Sequence, residues 1–119
     1  MDLQGQIVDV RQSLGIWHAV SLGLVREAGR DLSQRQLAIL LEVYLMPPPH
    51  TVRALASRLQ VTKPVITRAL DSLGGMDLLS RRRDPSDQRN VLITRTVAGS
   101  LFVEELGDLL AKCIAGEIT

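Results

Sequence analysis

The 119-residue chain predicts a mainly α fold with a small β-hairpin wing, a winged helix-turn-helix in the order α-α-α-α-β-β-α. Three observations predict it. Apolar residues recur at steps of three and four in five segments. Two of those segments are short and meet at a tight connection, and the second is basic on its outer side. A stretch dense in arginine and turn formers follows directly, flanked by two strand-like runs.

The first helix is predicted at about Gln6 to Ala28, where Ile7, Val10, Leu14, Trp17, Ser21 and Leu24 form one stripe, with Gly29 at its stop. Ser33-Gln34-Arg35-Gln36 is a capping box that opens a second helix, with Leu37, Leu40, Leu41 and Tyr44 on its apolar face. Pro47-Pro48-Pro49 ends it. Thr51 caps a third, short helix whose inner side is Val52, Leu55, Ala56 and Leu59. Thr62 caps a fourth, with Pro64 tolerated in its first turn. There Ile66, Ala69, Leu70 and Leu73 face inward, and Lys63, Thr67, Arg68 and Asp71 face outward. Gly74-Gly75 weakens the helix after Leu73. Strands are expected at Leu79 to Arg83 and Val91 to Arg95, joined by a loop from Asp84 to Asn90. Thr96 caps the last helix, about Val97 to Ala115, with Phe102, Leu106, Leu109 and Cys113 along it. The whole is expected to be a single domain, residues 1–119.

Apolar residues make up 45% of the chain, enough for a core, and aromatics only 3%, so that core is aliphatic. The net charge of +1 hides a segregation. From Thr51 to Arg95 nine cationic side chains face four carboxylates, a local +5 that leaves −4 for the rest. A basic middle between acidic ends is the footprint of a surface that meets phosphates. The start of the chain lacks the positive charge of a signal peptide. Leu14 to Val25, interrupted by His18 and Ser21, is too short to cross a bilayer. A cytoplasmic protein with no membrane partner is expected.

A helix that reads the major groove presents short polar or basic side chains from its first turns, and Thr62, Lys63, Thr67 and Arg68 suit this. Arg68 is suited to a guanine edge, and Thr67 to a phosphate or a thymine methyl. Thr62 and the amides of the helix start favour an anion. Arg89 near the wing tip is long enough for a minor groove, with Asp87 two residues away to hold an arginine in place. Arg81, Arg82 and Arg83 at the wing's base add phosphate attraction.

These residues resemble the MarR family of bacterial transcription regulators. The likeness runs ungapped from about Leu32 to Gly99. It is carried by Leu32-Ser33-Gln34-Arg35-Gln36-Leu37, by Thr51 to Ala56 and by Val61-Thr62-Lys63-Pro64-Val65-Ile66-Thr67-Arg68-Ala69-Leu70-Asp71. Asp84 to Arg89 is similar to the family's Asp-x-Arg wing signature, and Thr96-Val97-Ala98-Gly99 to its last-helix opening. The resemblance implies a DNA-binding core of about 32–96 and a homodimer joined by the first and last helices, about 6–29 and 97–116, on a pseudo-palindromic site. It places Thr62, Lys63, Pro64, Thr67 and Arg68 along the major groove and Arg89 in the minor groove. Arg83 and Asp87 complete the DNA-binding set, and Ile7, Val10, Leu14, Trp17, Phe102, Leu106 and Leu109 the dimer interface. Three positions depart from the pattern: Asp77 stands where glycine is usual, Arg95 where leucine is usual and Gln88 where arginine is common.

The expected function is a sequence-specific regulator of transcription, a repressor, bound to the nucleoid of a bacterium. The alternative is a winged-helix protein–protein adaptor, which would more often expose an apolar patch on its fourth helix. A small-molecule effector is compatible with the first reading, and the sequence names none. Cys113 on an apolar stripe reads as packing rather than as a redox sensor. Trp17 and His18 read as core or interface rather than as a ligand pocket, and His50 as a surface loop residue. Asp84 and Asp87 read as turn formers rather than as a catalytic pair. Two separated histidines and one cysteine give no metal site, and no phosphate loop or nucleophile elbow is present. No cofactor and no enzymatic activity are expected.

Overall fold

The computed structural model describes residues 2–3, 6–7, 9–26 and 31–117. The chain forms two compact units, Leu32–Val103 and Met1–Asp31 with Glu104–Thr119.

In the first unit, α2 (Gln34–Leu45) opens on the Ser33 capping box. The Ser33 hydroxyl accepts from Gln36 N at 3.1 Å, and the Gln36 side chain accepts from Ser33 N at 2.8 Å. Its buried face is Ile39, Leu40 and Val43, with Leu37, Leu41 and Tyr44 half-buried beside them. The stripe is thus rotated from the one the spacing predicts. A strand the sequence did not announce, β3 (His50–Thr51), leads into α3 (Val52–Leu59). His50 is buried there, not a surface loop residue, and its Nε2 donates to Met46 O at 3.1 Å. Thr51 caps α3 by accepting from Ala54 N at 3.0 Å.

Both short helices end on a left-handed residue that is not glycine. After α3, Gln60 has φ 58°, and Val61 N donates back to Ala56 O at 3.0 Å. After α4 (Lys63–Gly75), Asp77 has φ 58°, and Leu78 N donates to Leu73 O at 2.9 Å. Each pattern closes a helix by a five-residue return bond. Asp77 therefore occupies the conformation a glycine would fill, and α4 runs through Gly74-Gly75 before stopping. Ile66, Ala69, Leu70 and Leu73 are all buried, as their spacing predicts.

The sheet has the order β3-β5-β4, all antiparallel. Strands β4 (Leu79–Asp84) and β5 (Asp87–Arg95) reach further toward the tip than the sequence suggests, and Pro85-Ser86 alone forms the turn. The register passes from Arg83↔Val91 to Asp84↔Asp87, so Gln88, Arg89 and Asn90 bulge out of β5 with no counterpart on β4.

One hydroxyl joins the pieces. Tyr44 Oη on α2 donates to Leu78 O at 2.9 Å and accepts from Thr96 N at 3.0 Å. Thr96 Oγ1 donates to Asp77 O at 2.7 Å and accepts from Gly99 N at 2.9 Å, capping α5 (Val97–Ile114). A Cβ on Gly99 would collide with Tyr44 Oη and Leu78 O, so only glycine fits. Beside it Arg95 donates to Val43 O at 3.0 Å and Met46 O at 3.2 Å, with its guanidinium 5.7 Å from the Tyr44 ring centroid. A cation on the last carbonyls of α2 opposes the negative end of the helix dipole. This is the use of an arginine where leucine is usual.

In the second unit, α1 begins at Val10 and runs to Arg26. Gln6–Ile7 is instead a short strand, β2, paired with β1 (Asp2–Leu3). The expected stop at Gly29 lies outside the described residues. Ala19, Val20 and Cys113 form a small core with Ile16, Leu24 and Leu109 against it. Gly23 has no room for a side chain beside Leu109. The predicted stripe Val10, Leu14 and Trp17 faces outward, at 73%, 63% and 53% exposure. Phe102, expected at an interface, lies in the first unit and is buried there at 2% exposure.

Replacing Tyr44 with Phe strands the Thr96 amide and Leu78 carbonyl. A loss of about 1–3 kcal/mol in urea unfolding is expected; an unchanged midpoint would contradict the role given to the hydroxyl.

Candidate nucleic-acid interface

The inward face of α4 fixes what its other faces present. At 3.6 residues per turn, burying Ile66, Ala69, Leu70 and Leu73 puts Pro64, Arg68 and Asp71 on the outer face, with Lys63 and Thr67 on one flank and Val65 and Ser72 on the other. The structure separates residues that the sequence grouped together. Lys63 and Thr67 line one groove, of about 220 Å³, with Thr51, Val52, Arg53, Arg89, Asn90 and Val91. Arg68 lines another. The first groove gathers three cations from three elements and no carboxylate.

Local bonds define what each side chain offers. Thr62 stands at the N-cap position but makes no capping bond with its side chain. Pro64 has no N–H, and Val65 N donates to Thr62 O at 3.2 Å, so fewer amides face an anion at this helix start than the sequence suggests. The Thr67 hydroxyl donates to Lys63 O at 3.1 Å. Its proton is committed, leaving the methyl group and the oxygen lone pairs for a ligand.

At the wing, the bulge carries Arg89 outward, 91% exposed. Asp87 Oδ1 accepts from Arg89 N at 3.1 Å and Arg89 Nε at 3.3 Å, which orients the guanidinium while leaving its terminal nitrogens available. Arg83 donates to Gln88 O at 2.8 Å, so it braces the bulge from β4. Arg81 is paired with Asp71 at 2.7 Å, which offsets the one carboxylate on the outer face of α4. Both partners are partly exposed, so this pair contributes little stability. At the tip, Ser86 Oγ and Ser86 N donate to Asp84 Oδ1 at 2.7 and 2.9 Å. These bonds hold the Asp84 carboxyl below its ordinary value.

Arg53 and Asn90 went unnoticed as site residues in the sequence. Arg53 lies on the third helix, whose predicted role was packing, and Asn90 lay inside an expected loop. In the second unit His18, with Gln12, Gly15, Ile16, Ala19, Cys113, Ile114 and Gly116, lines a groove of about 340 Å³, while Trp17 does not. Cys113 itself is buried, as a packing role requires. Among the described residues, no helix is long and apolar enough to cross a membrane, and no three His, Cys, Asp or Glu side chains cluster as metal ligands.

The family model of the MarR family matches residues 32–91, half of the chain and most of the first unit. The chain belongs to the MarR family. The winged helix described above is the fold of solved MarR-type structures. The S. aureus MepR–DNA complex superposes with a TM-score of 0.76 at 21% identity, covering 90% of this chain and 86% of that one. YusO from Bacillus subtilis gives 0.74 at 20% identity, covering 88% and 72%. CouR from Rhodococcus jostii RHA1, bound to p-coumaroyl-CoA, gives 0.65 at 24% identity, covering 87% and 70%. Among curated proteins there is no significant match. The MarR resemblance carried by the sequence motifs and the MarR match of the family model thus fall on the same stretch.

Because the folded value of Asp84 is depressed, its contribution to the wing turn is present above the unfolded carboxylate value and lost as pH falls through the folded one. Carboxyl-carbon NMR is expected to give Asp84 a midpoint below the ordinary carboxylate range, and Ser86→Ala should raise it. A midpoint that Ser86→Ala leaves unmoved would contradict the role given to the Asp84–Ser86 bonds.

Proposed function

We propose that this MarR-family chain is a sequence-specific duplex-DNA-binding regulator of transcription, acting as a homodimer on a pseudo-palindromic site. Helix α4 enters the major groove and Arg89 the adjacent minor groove. The observation that carries the reading is the groove in which Arg53, Lys63 and Arg89 converge beside Thr67 without a carboxylate. Cations at this density attract phosphates and release counterions from a duplex. Arg89, exposed and oriented by Asp87, has the form of a side chain drawn into a narrow minor groove. Arg68 on the outer face of α4 is suited to a guanine edge, and the Thr67 methyl to thymine. The solution of MepR as a DNA complex supports the same use of this fold here.

Dimerisation is supported by the outward apolar side chains of the second unit, Val10, Leu14 and Trp17 on α1 and Leu110 and Ile114 on α5. An exposed apolar patch of this kind marks an interaction surface, and a two-fold copy would present two α4 helices to one face of a duplex. Ile7 was expected in the same set, and its side chain lies outside the described residues. Leu106 and Leu109 are half-buried, and Leu109 already packs in the small core. The output proposed is repression, because a protein seated on a duplex site excludes others from it. The binding of p-coumaroyl-CoA by CouR supports a small-molecule effector, whose chemistry no residue here identifies. The role is non-enzymatic and cytoplasmic.

Arg68→Ala and Arg89→Ala are each expected to weaken binding of a labelled duplex at least tenfold by fluorescence anisotropy, with unchanged circular dichroism; parental affinity in both would show that the surface is misassigned. Light scattering at micromolar concentration should return twice the chain mass, and a monomer would remove the palindrome from the reading.

A further inference from the structure

On the far flank of α4 lies a second groove, of about 170 Å³, lined by Arg35, Gln36, Val65, Arg68, Ala69 and Ser72. At about 30 Å³ per water molecule, it has room for a phosphate group in place of five or so waters. Its two charges are both guanidinium groups, one from the first turn of α2 and one from α4, and no carboxylate lines it. Like charges brought to one cleft repel unless an anion sits between them. The Gln36 carbonyl oxygen is committed to Ser33 N at 2.8 Å, which leaves its NH2 as a donor, and the Ser72 hydroxyl adds another. The lining is therefore mainly cationic and donor-rich, the chemistry of an oxyanion site.

We propose that this groove holds a backbone phosphate of the duplex strand opposite to the one met by the Lys63–Arg89 groove, with Arg35 as its dedicated contact. The inference rests on the duplex reading and deepens it. A helix about 10–12 Å across fills a major groove about 12 Å wide, so a phosphate backbone must stand on each side of it. The structure provides a cationic groove on each flank of α4. Lys63 and Thr67 serve one wall and Arg35 the other, while Arg68, which also lines the second groove, reaches from it toward the bases. Contacts on one wall alone would leave the helix free to roll; contacts on both fix its depth and angle, and so the register in which the outer face meets the bases.

The test is fluorescence anisotropy of the full chain on a fluorescein-labelled mixed-sequence duplex across a salt series. Arg35 is exposed and lies outside the core, so Arg35→Ala should melt like the parent. It is expected to bind roughly fivefold more weakly, with the log–log salt slope shallower by roughly one per bound chain. Arg35→Lys should keep most of the slope. Lys112→Ala, on α5 and distant in the chain, should change neither quantity. If the parent binds with steep salt dependence and Arg35→Ala keeps both affinity and slope, the second groove is overturned and the duplex reading stands. If the parent itself shows no salt-dependent binding, the duplex reading falls and takes the groove with it.

Discussion

The Tyr44 hydroxyl and the missing side chain of Gly99 occupy the same small space, and much of the geometry of the basic face depends on that coincidence. The hydroxyl holds the amide of Thr96, where β5 ends, and the carbonyl of Leu78, where the chain has just left α4. The Thr96 hydroxyl reaches Asp77 O in the same turn. The wing leaves this junction as β4 and returns to it as β5, so its base is tied to the end of α4 within a few ångströms. Any β-carbon at position 99 would push the junction open. Arg95 reinforces it from the α2 side by holding the last carbonyls of that helix.

Given that anchor, the outer chemistry follows from how few choices α4 has. Four buried residues fix its rotation, and the return bonds at Gln60 and Asp77 fix where it begins and ends relative to α3 and β4. A left-handed residue with a Cβ costs about 1–2 kcal/mol relative to glycine. Both ends accept that cost, a sign that the surrounding packing determines the turns. At the other end of the hairpin, the three-residue bulge moves Arg89 off the strand. Asp87 then holds the Arg89 amide and guanidinium, and Arg83 holds the Gln88 carbonyl beside it. The basic candidate surface is thus a helix flank and a braced loop, each positioned largely by residues outside the two grooves.

Much of this was legible in the sequence, and the failures have physical causes. The face of α4 could be read because four inward residues at helical spacing leave one rotation. The caps at Ser33, Thr51 and Thr96 could be read because a hydroxyl or amide three residues from an amide has a local job. The α2 stripe was rotated because leucine is so frequent there that Leu37 and Leu41 competed with Ile39 and Val43. The wing looked shorter than it is because Asp87 to Asn90 are all polar; a two-stranded tip has no buried face to impose alternation. His50 was misread because a two-residue strand leaves no pattern. The α1 stripe was seen, but spacing cannot tell an inward face from an outward apolar one, and here the core lies on Ala19, Val20 and Gly23. In the candidate grooves, Lys63, Thr67, Arg68 and Arg89 stand out in the sequence by type and position, whereas Arg35, Arg53 and Asn90 do not. Their grouping exists only after four separate elements have packed.

The central claim is that the basic face of the first unit reads duplex DNA. The most direct test is selection of the full chain against a pool of random duplexes, with sequencing of the bound fraction and a salt titration of the enriched duplex. The account predicts an enriched inverted repeat whose affinity falls steeply with salt. Failure to enrich any sequence, together with binding indifferent to salt, would contradict it.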